Sequence, residues 1–93
     1  MVYLVSYDLN EPDKDYQRLI DAISRYGNPC RVLKSQWLIQ SDKSAKQLCD
    51  ELTAFVDESD ELFVCEVNQN FAVKPTKKPC QSFRAGLLGN FPI

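Results

Sequence analysis

Between Val2 and Asn68 the chain twice leaves a strand-like run, enters a stretch with helical spacing, and returns to a strand-like run. That alternation constrains the fold more than any other feature, because one backbone cannot serve a two-residue and a 3.6-residue repeat at once. The first run, Val2 to Leu9, is "VYLVSYDL", rich in β-branched, aromatic and leucine residues and short enough for a buried strand. Asn10, Glu11, Pro12 and Asp13 break it. Tyr16, Leu19, Ile20 and Ile23 then recur at i, i+3, i+4 and i+7, one apolar face of a helix. Asp13 or Asp15 is placed to cap its start, and Gly27 with Asn28-Pro29 to end it.

Cys30 to Gln40, "CRVLKSQWLIQ", is strand-like again. It reads either as one long bent strand or as a hairpin turning near Lys34-Ser35, although no Asn-Gly or Gly-Gly marks a turn. Ser44 with Gln47 fits a capping box, and Ala45, Leu48, Cys49, Leu52, Phe55 and Val56 line one side of a second helix. An acidic turn, Asp57 to Asp60, leads into a last strand at Glu61 to Asn68. The order β-α-β-β-α-β predicts an α+β, ferredoxin-like domain: an antiparallel sheet with both helices on one face. Residues 1–72 form that domain. Residues 73–93 read as an extended C-terminal tail, rich in Pro and Gly, whose Phe83, Leu87, Leu88 and Phe91 suit docking on a partner chain, with a frayed terminus as the alternative.

Neither face of this sheet is polar. Val2 and Leu4 oppose Tyr3, Val5 and Tyr7 along the first strand, and Leu62 and Val64 oppose Phe63, Cys65 and Val67 along the last. Helices cover one face, so the other needs a second layer, most simply a twofold-related copy. A chain of 93 residues buries only about two-thirds of its surface alone, which also favours a homodimer.

Composition excludes several classes. A net charge of -2 argues against a protein that coats nucleic acid by bulk charge, though not against a local basic strip. Cys30, Cys49, Cys65 and Cys80 never form a C-x-x-C pair, and without any histidine a zinc site needs all four. Cys49 and Cys65 fall on apolar faces and read as small core residues. No signal peptide is recognised, and no apolar run approaches the ~20 residues that span a membrane. The expectation is a soluble, cytoplasmic protein in a reducing compartment.

The chemistry-bearing residue is Asp8, at the carboxyl end of the first strand, where α/β sheets often place ligands. An acid in that place can instead accept backbone N–H bonds in the following turn. One carboxylate is poor equipment for Mg²⁺, which wants about six oxygens. Two copies facing each other across a twofold axis bring two. Glu11, Asp13 and Asp15 sit where negative charge suits a helix start.

Tyr7-Asp8-Leu9, Arg25-Tyr26-Gly27 and "RVLKSQW", in this order and spacing, resemble the small CRISPR-associated adaptor family, the second core Cas protein. They also resemble its relatives, the virulence-associated protein D toxins and the SinR-like proteins, the latter sharing "YDLN" and an "S-x-W-L" second strand. The resemblance covers residues 1–72. It implies a ferredoxin-like homodimer in which Asp8 ligates the metal of a Mg²⁺-dependent nuclease acting on RNA or DNA. It also places the family's second-strand basic residue, serine and aromatic on Arg31, Ser35 and Trp37. Physically, Arg31 and Lys34 suit phosphates, Ser35 can donate to one, and Trp37 can stack on a base. Equally, Trp37 suits the core, and Arg31 and Lys34 suit a solvated sheet edge. With no histidine, a general base would have to be a carboxylate or metal-bound hydroxide. Two alternatives stand beside the nuclease: a non-catalytic dimeric module that binds nucleic acid or a protein partner, and a toxin-like relative.

Overall fold

A computed structural model describes residues 1–10, 16–68 and 70–72. Its elements run β1 (Val2–Asp8), α1 (Gln17–Ser24), β2 (Gly27–Leu33), β3 (Gln36–Gln40), α2 (Ala45–Thr53) and β4 (Glu61–Val67). The four strands form one sheet in the order β2-β3-β1-β4, every neighbouring pair antiparallel. Each β-α-β unit is thus split by a strand of the other, as the expected ferredoxin-like element order requires. The tail, 73–93, lies outside the described residues, as do Asp13 and Asp15.

Between Cys30 and Gln40 the chain turns as a hairpin at Lys34-Ser35. What closes it is a side chain rather than a glycine turn: the Arg31 guanidinium donates to the Lys34 carbonyl from two nitrogens, at 3.0 and 2.6 Å. The expected stop at Gly27 is displaced. Helix α1 ends at Ser24, with Arg25 as its C-cap, and Gly27 to Pro29 open β2 instead. Gly27 pairs with Gln40 so closely that a Cβ there would lie 3.1 Å from the Gln40 carbonyl oxygen. Asn28 takes a left-handed φ of 47°, a conformation asparagine tolerates, within a register shift between Gly27 and Cys30. Pro29, which lacks an N–H, falls in the same irregular stretch of an edge strand.

The capping box at α2 forms as expected: Ser44 Oγ accepts from the Gln47 N–H at 3.1 Å, and the Gln47 side chain accepts from the Ser44 N–H at 2.9 Å. Tyr3, Val5, Tyr7, Trp37 and Ile39 project from the sheet onto Leu19, Ala22, Ile23, Leu48 and Leu52 of the helices, forming the main core. Leu62 and Val64 of β4 pack against it. The opposite face carries a second apolar row, Val2, Cys30, Val32 and Leu38, with Leu4, Val67 and Phe71 against it. Both sheet faces are therefore apolar. Cys49 and Cys65 are half-buried free thiols. Cys30 is disulfide-bonded, a state that the expectation of a reducing compartment does not anticipate. Among the described residues no helix is long and apolar enough to cross a membrane.

At the end of the sheet where β1 begins, polar side chains tie the layers together. The Tyr3 hydroxyl donates to the Lys43 carbonyl at 2.6 Å, and Glu51 of α2 accepts from Lys43 Nζ at 2.5 Å and from the Tyr26 hydroxyl at 2.6 Å. Glu51 is held below the usual carboxylate range, first by Lys43 and then by Tyr26. Partial burial, then the hydrogen bond to Glu51, raises Tyr26.

Two outcomes follow from these contacts. Ser44→Ala removes one half of the capping box and lowers unfolding free energy by about 1 kcal/mol in urea denaturation. A depressed carboxylate stabilises the fold above its unfolded pKa and loses that contribution as pH falls through its folded value. Glu51→Gln is accordingly less stable than wild type at neutral pH, and the gap narrows as acid protonates Glu51. A gap that stays constant down through the carboxylate range counts against this linkage. The raised Tyr26 has the opposite sign, its contribution being lost as alkali carries the pH up through its folded value.

Candidate functional site

Asp8 ends β1 and is exposed. Its register partner on β4 is Glu61, also exposed. Residues directly opposite on antiparallel strands share a face with Cβ atoms about 5 Å apart, so two carboxylates stand side by side with no intervening residue. Two pairs further in, on the same face, Ser6 faces Phe63 on one flank and Gln36 on the other, and Gln36 Nε2 donates to Ser6 Oγ at 3.3 Å. Ser6, Tyr7, Asp8, Glu61, Leu62 and Phe63 line a recess of about 320 Å³. Phe63 is 60 % exposed at its rim.

The turn-closing task that Asp8 was suited to belongs to another acid. Asp60 Oδ1 accepts from the Asn10 N–H at 2.9 Å and the Tyr16 hydroxyl at 3.2 Å, while Oδ2 accepts from the Asp57 N–H at 2.8 Å. Among the described residues no hydrogen bond or ion pair engages the Asp8 carboxylate. Like charges facing each other across a strand pair destabilise it.

The hairpin residues divide into two groups. The Ser35 carbonyl accepts from the Tyr7 N–H at 3.1 Å, so Lys34 and Ser35 flank the same end of the sheet as Asp8. Lys34 is exposed and Ser35 half-buried. Arg31 is exposed, yet its guanidinium closes the hairpin turn and lies 5.7 Å over the Trp37 ring. Trp37 is 8 % exposed, and its Nε1 donates to the Tyr7 hydroxyl at 3.2 Å. The tryptophan is committed to the core, which corrects its reading as a stacking surface, since its ring faces the helices. Among the described residues, Phe63 is the exposed aromatic at this end of the sheet.

Glu61 and Phe63 escaped the sequence reading. Both were placed in the last strand, but only the β1–β4 register sets Glu61 against Asp8, and nothing local in "ELFVCEVN" states that register. Among the described residues no three histidine, cysteine or acidic side chains cluster closely enough to hold a metal ion by themselves. The described residues therefore offer a pair of exposed carboxylates lining one recess. No family model, curated protein or solved structure significantly matches the chain.

The Tyr7–Trp37 bond gives a direct check on this geometry. Tyr7→Phe leaves the buried Trp37 N–H without its acceptor and costs about 1–3 kcal/mol of stability, read from the denaturation midpoint and slope. An unchanged midpoint argues that the Trp37 N–H finds another partner.

Proposed function

We propose that the protein binds RNA or DNA phosphodiesters as a homodimer and cleaves them with Mg²⁺ held by Asp8 and Glu61. The observation that carries this reading is the cross-strand carboxylate pair, exposed in a recess and free of the loop hydrogen bonds that Asp60 supplies. Mg²⁺ is commonly held by one or two carboxylates, several waters and substrate phosphates, a donor set that this pair fits. When bound, such an ion lowers the pKa of a water and steadies charge on a phosphate.

The remaining tasks fall to this chain's own side chains. Asp8 and Glu61 fix the position of positive charge and keep bare phosphates away, so substrate approaches only with a cation in place. Lys34 offers a cation at the adjoining turn and Ser35 a hydroxyl donor, contacts that position a phosphate backbone without reading its sequence. Phe63 offers an exposed ring on which a base can stack. Arg31 holds the turn that carries Lys34. A twofold axis near Phe63, where apolar surface lies open beside the β4 edge, sets two such recesses close together.

A second reading is a non-catalytic dimeric nucleic-acid module. It is favoured by the small acidic set at the recess, two carboxylates in each copy.

Cleavage of single- and double-stranded RNA and DNA with Mg²⁺ or Mn²⁺ separates the two. On the catalytic reading Asp8→Asn and Glu61→Gln each lose several kcal/mol of transition-state stabilisation, roughly a hundredfold or more in rate, with circular dichroism unchanged. Equal cleavage by Asp8→Asn removes the catalytic assignment. No turnover with any divalent ion, together with weaker binding by Lys34→Glu, selects the module. A monomer by light scattering at micromolar concentration removes the dimer.

A further inference from the structure

The direction of hydrogen bonding along β1 is set at its two ends. The Tyr7 N–H donates to the Ser35 carbonyl at 3.1 Å, and Met1 and Ser41 exchange main-chain bonds at 3.0 and 3.1 Å. Odd-numbered residues of β1 therefore turn their N–H and C=O groups towards β3, and Val2, Leu4, Ser6 and Asp8 turn theirs towards β4. Carried through the β1–β4 register, this directs the main-chain groups of Glu61, Phe63, Cys65 and Val67 inward to β1. Leu62, Val64 and Glu66 point theirs out of the sheet, and among the described residues no strand lies beyond β4.

That edge carries none of the usual deterrents. β4 has no lysine and no proline, pairs with β1 without a register shift, and buries none of its seven residues although most are apolar. Its two glutamates restrict what can add to it. An in-register parallel copy sets Glu61 on Glu61 and Glu66 on Glu66, and like charges directly opposite are destabilising. An antiparallel copy centred on Val64 sets Glu61 against the partner's Val67, Leu62 against the partner's Glu66, and Phe63 against the partner's Cys65. All seven residues then pair, and the outward-pointing residues meet one another. Sliding two residues one way brings Glu66 against the partner's Asp60. Sliding two the other way leaves Glu61 and Leu62 beyond the partner's strand.

We propose that β4 pairs antiparallel with β4 of a second copy about a twofold axis through Val64, joining two four-stranded sheets into one. The exposed Phe63 ring then lies against the half-buried thiol of the partner's Cys65, a favourable sulfur–aromatic contact. This interface rests on the homodimer of the functional reading and not on cleavage. The two Asp8–Glu61 pairs fall on one face at opposite ends of the new strand pair, about 20 Å apart at the rise of a β-strand. Each recess is complete within its own copy.

Phe63→Cys in a Cys49→Ser background tests the register. Phe63 and the partner's Cys65 form a pair without main-chain bonds, whose Cα atoms lie about 4.5 Å apart, within disulfide reach. Treated with oxidised glutathione, this variant is expected to give a covalent dimer on a non-reducing gel. The band is expected to be absent from Cys49→Ser alone and lost again when Cys65→Ser is added. A dimer by light scattering that gives no such band, or a band that survives Cys65→Ser, overturns the interface and leaves the homodimer standing; a monomer removes both. Amide hydrogen exchange on the wild-type chain is the second readout, with Leu62, Val64 and Glu66 expected to be protected in the dimer. Glu66→Pro deletes one outward N–H and no bond to β1, and is expected to give a folded monomer in which Leu62 and Val64 lose protection. Protection of those amides in a monomer means that the chain's own residues hold the edge, which overturns the proposal.

Discussion

The pairing register of β1 governs the rest of the molecule. This strand lies between β3 and β4, matched to β3 from Val2 opposite Gln40 to Ser6 opposite Gln36 and to β4 from Val2 opposite Val67 to Asp8 opposite Glu61. Because side chains alternate, that register sends Tyr3, Val5 and Tyr7 beneath the helices and Val2, Leu4, Ser6 and Asp8 to the other side. A slip of one residue would exchange the two sets, burying a carboxylate and exposing the core tyrosines. Core packing and the position of the acid pair are thus one constraint, enforced by burial rather than by any contact at the site itself.

The two ends of the sheet are built differently. Where β1 begins, tyrosine hydroxyls, Lys43 and Glu51 lace helix, loop and strand together. Where β1 ends, one side chain, Asp60, gathers the loop ends by accepting three hydrogen bonds. That economy leaves Asp8 and Glu61 without structural employment. Surface acids usually serve a turn, a cap or an ion pair, and this pair serves none among the described residues. The proposed site rests on these two exposed carboxylates.

Much of the fold was legible because its signals are local. Period-two and period-3.6 spacing set every element within a few residues, and the Ser44–Gln47 box formed as its spacing requires. Gly27 misled because glycine has two common uses, stopping a helix and admitting a close strand neighbour, and only the position of Gln40 decides between them. Arg31, Lys34 and Ser35 were visible as a polar group at a turn, but not that Arg31 turns inward to hold that turn closed. Trp37 was ambiguous until the sheet acquired faces. Glu61 and Phe63 were illegible, since their meaning is set by a partner strand more than fifty positions away in the chain.

The kinked start of β2 has a consequence for assembly. With Asn28 left-handed and Pro29 unable to donate, that margin of the sheet offers an incoming strand an interrupted ladder. The other margin, β4, runs unbroken for seven residues. An incoming strand would find regular pairing groups along β4 and an interrupted set along the start of β2.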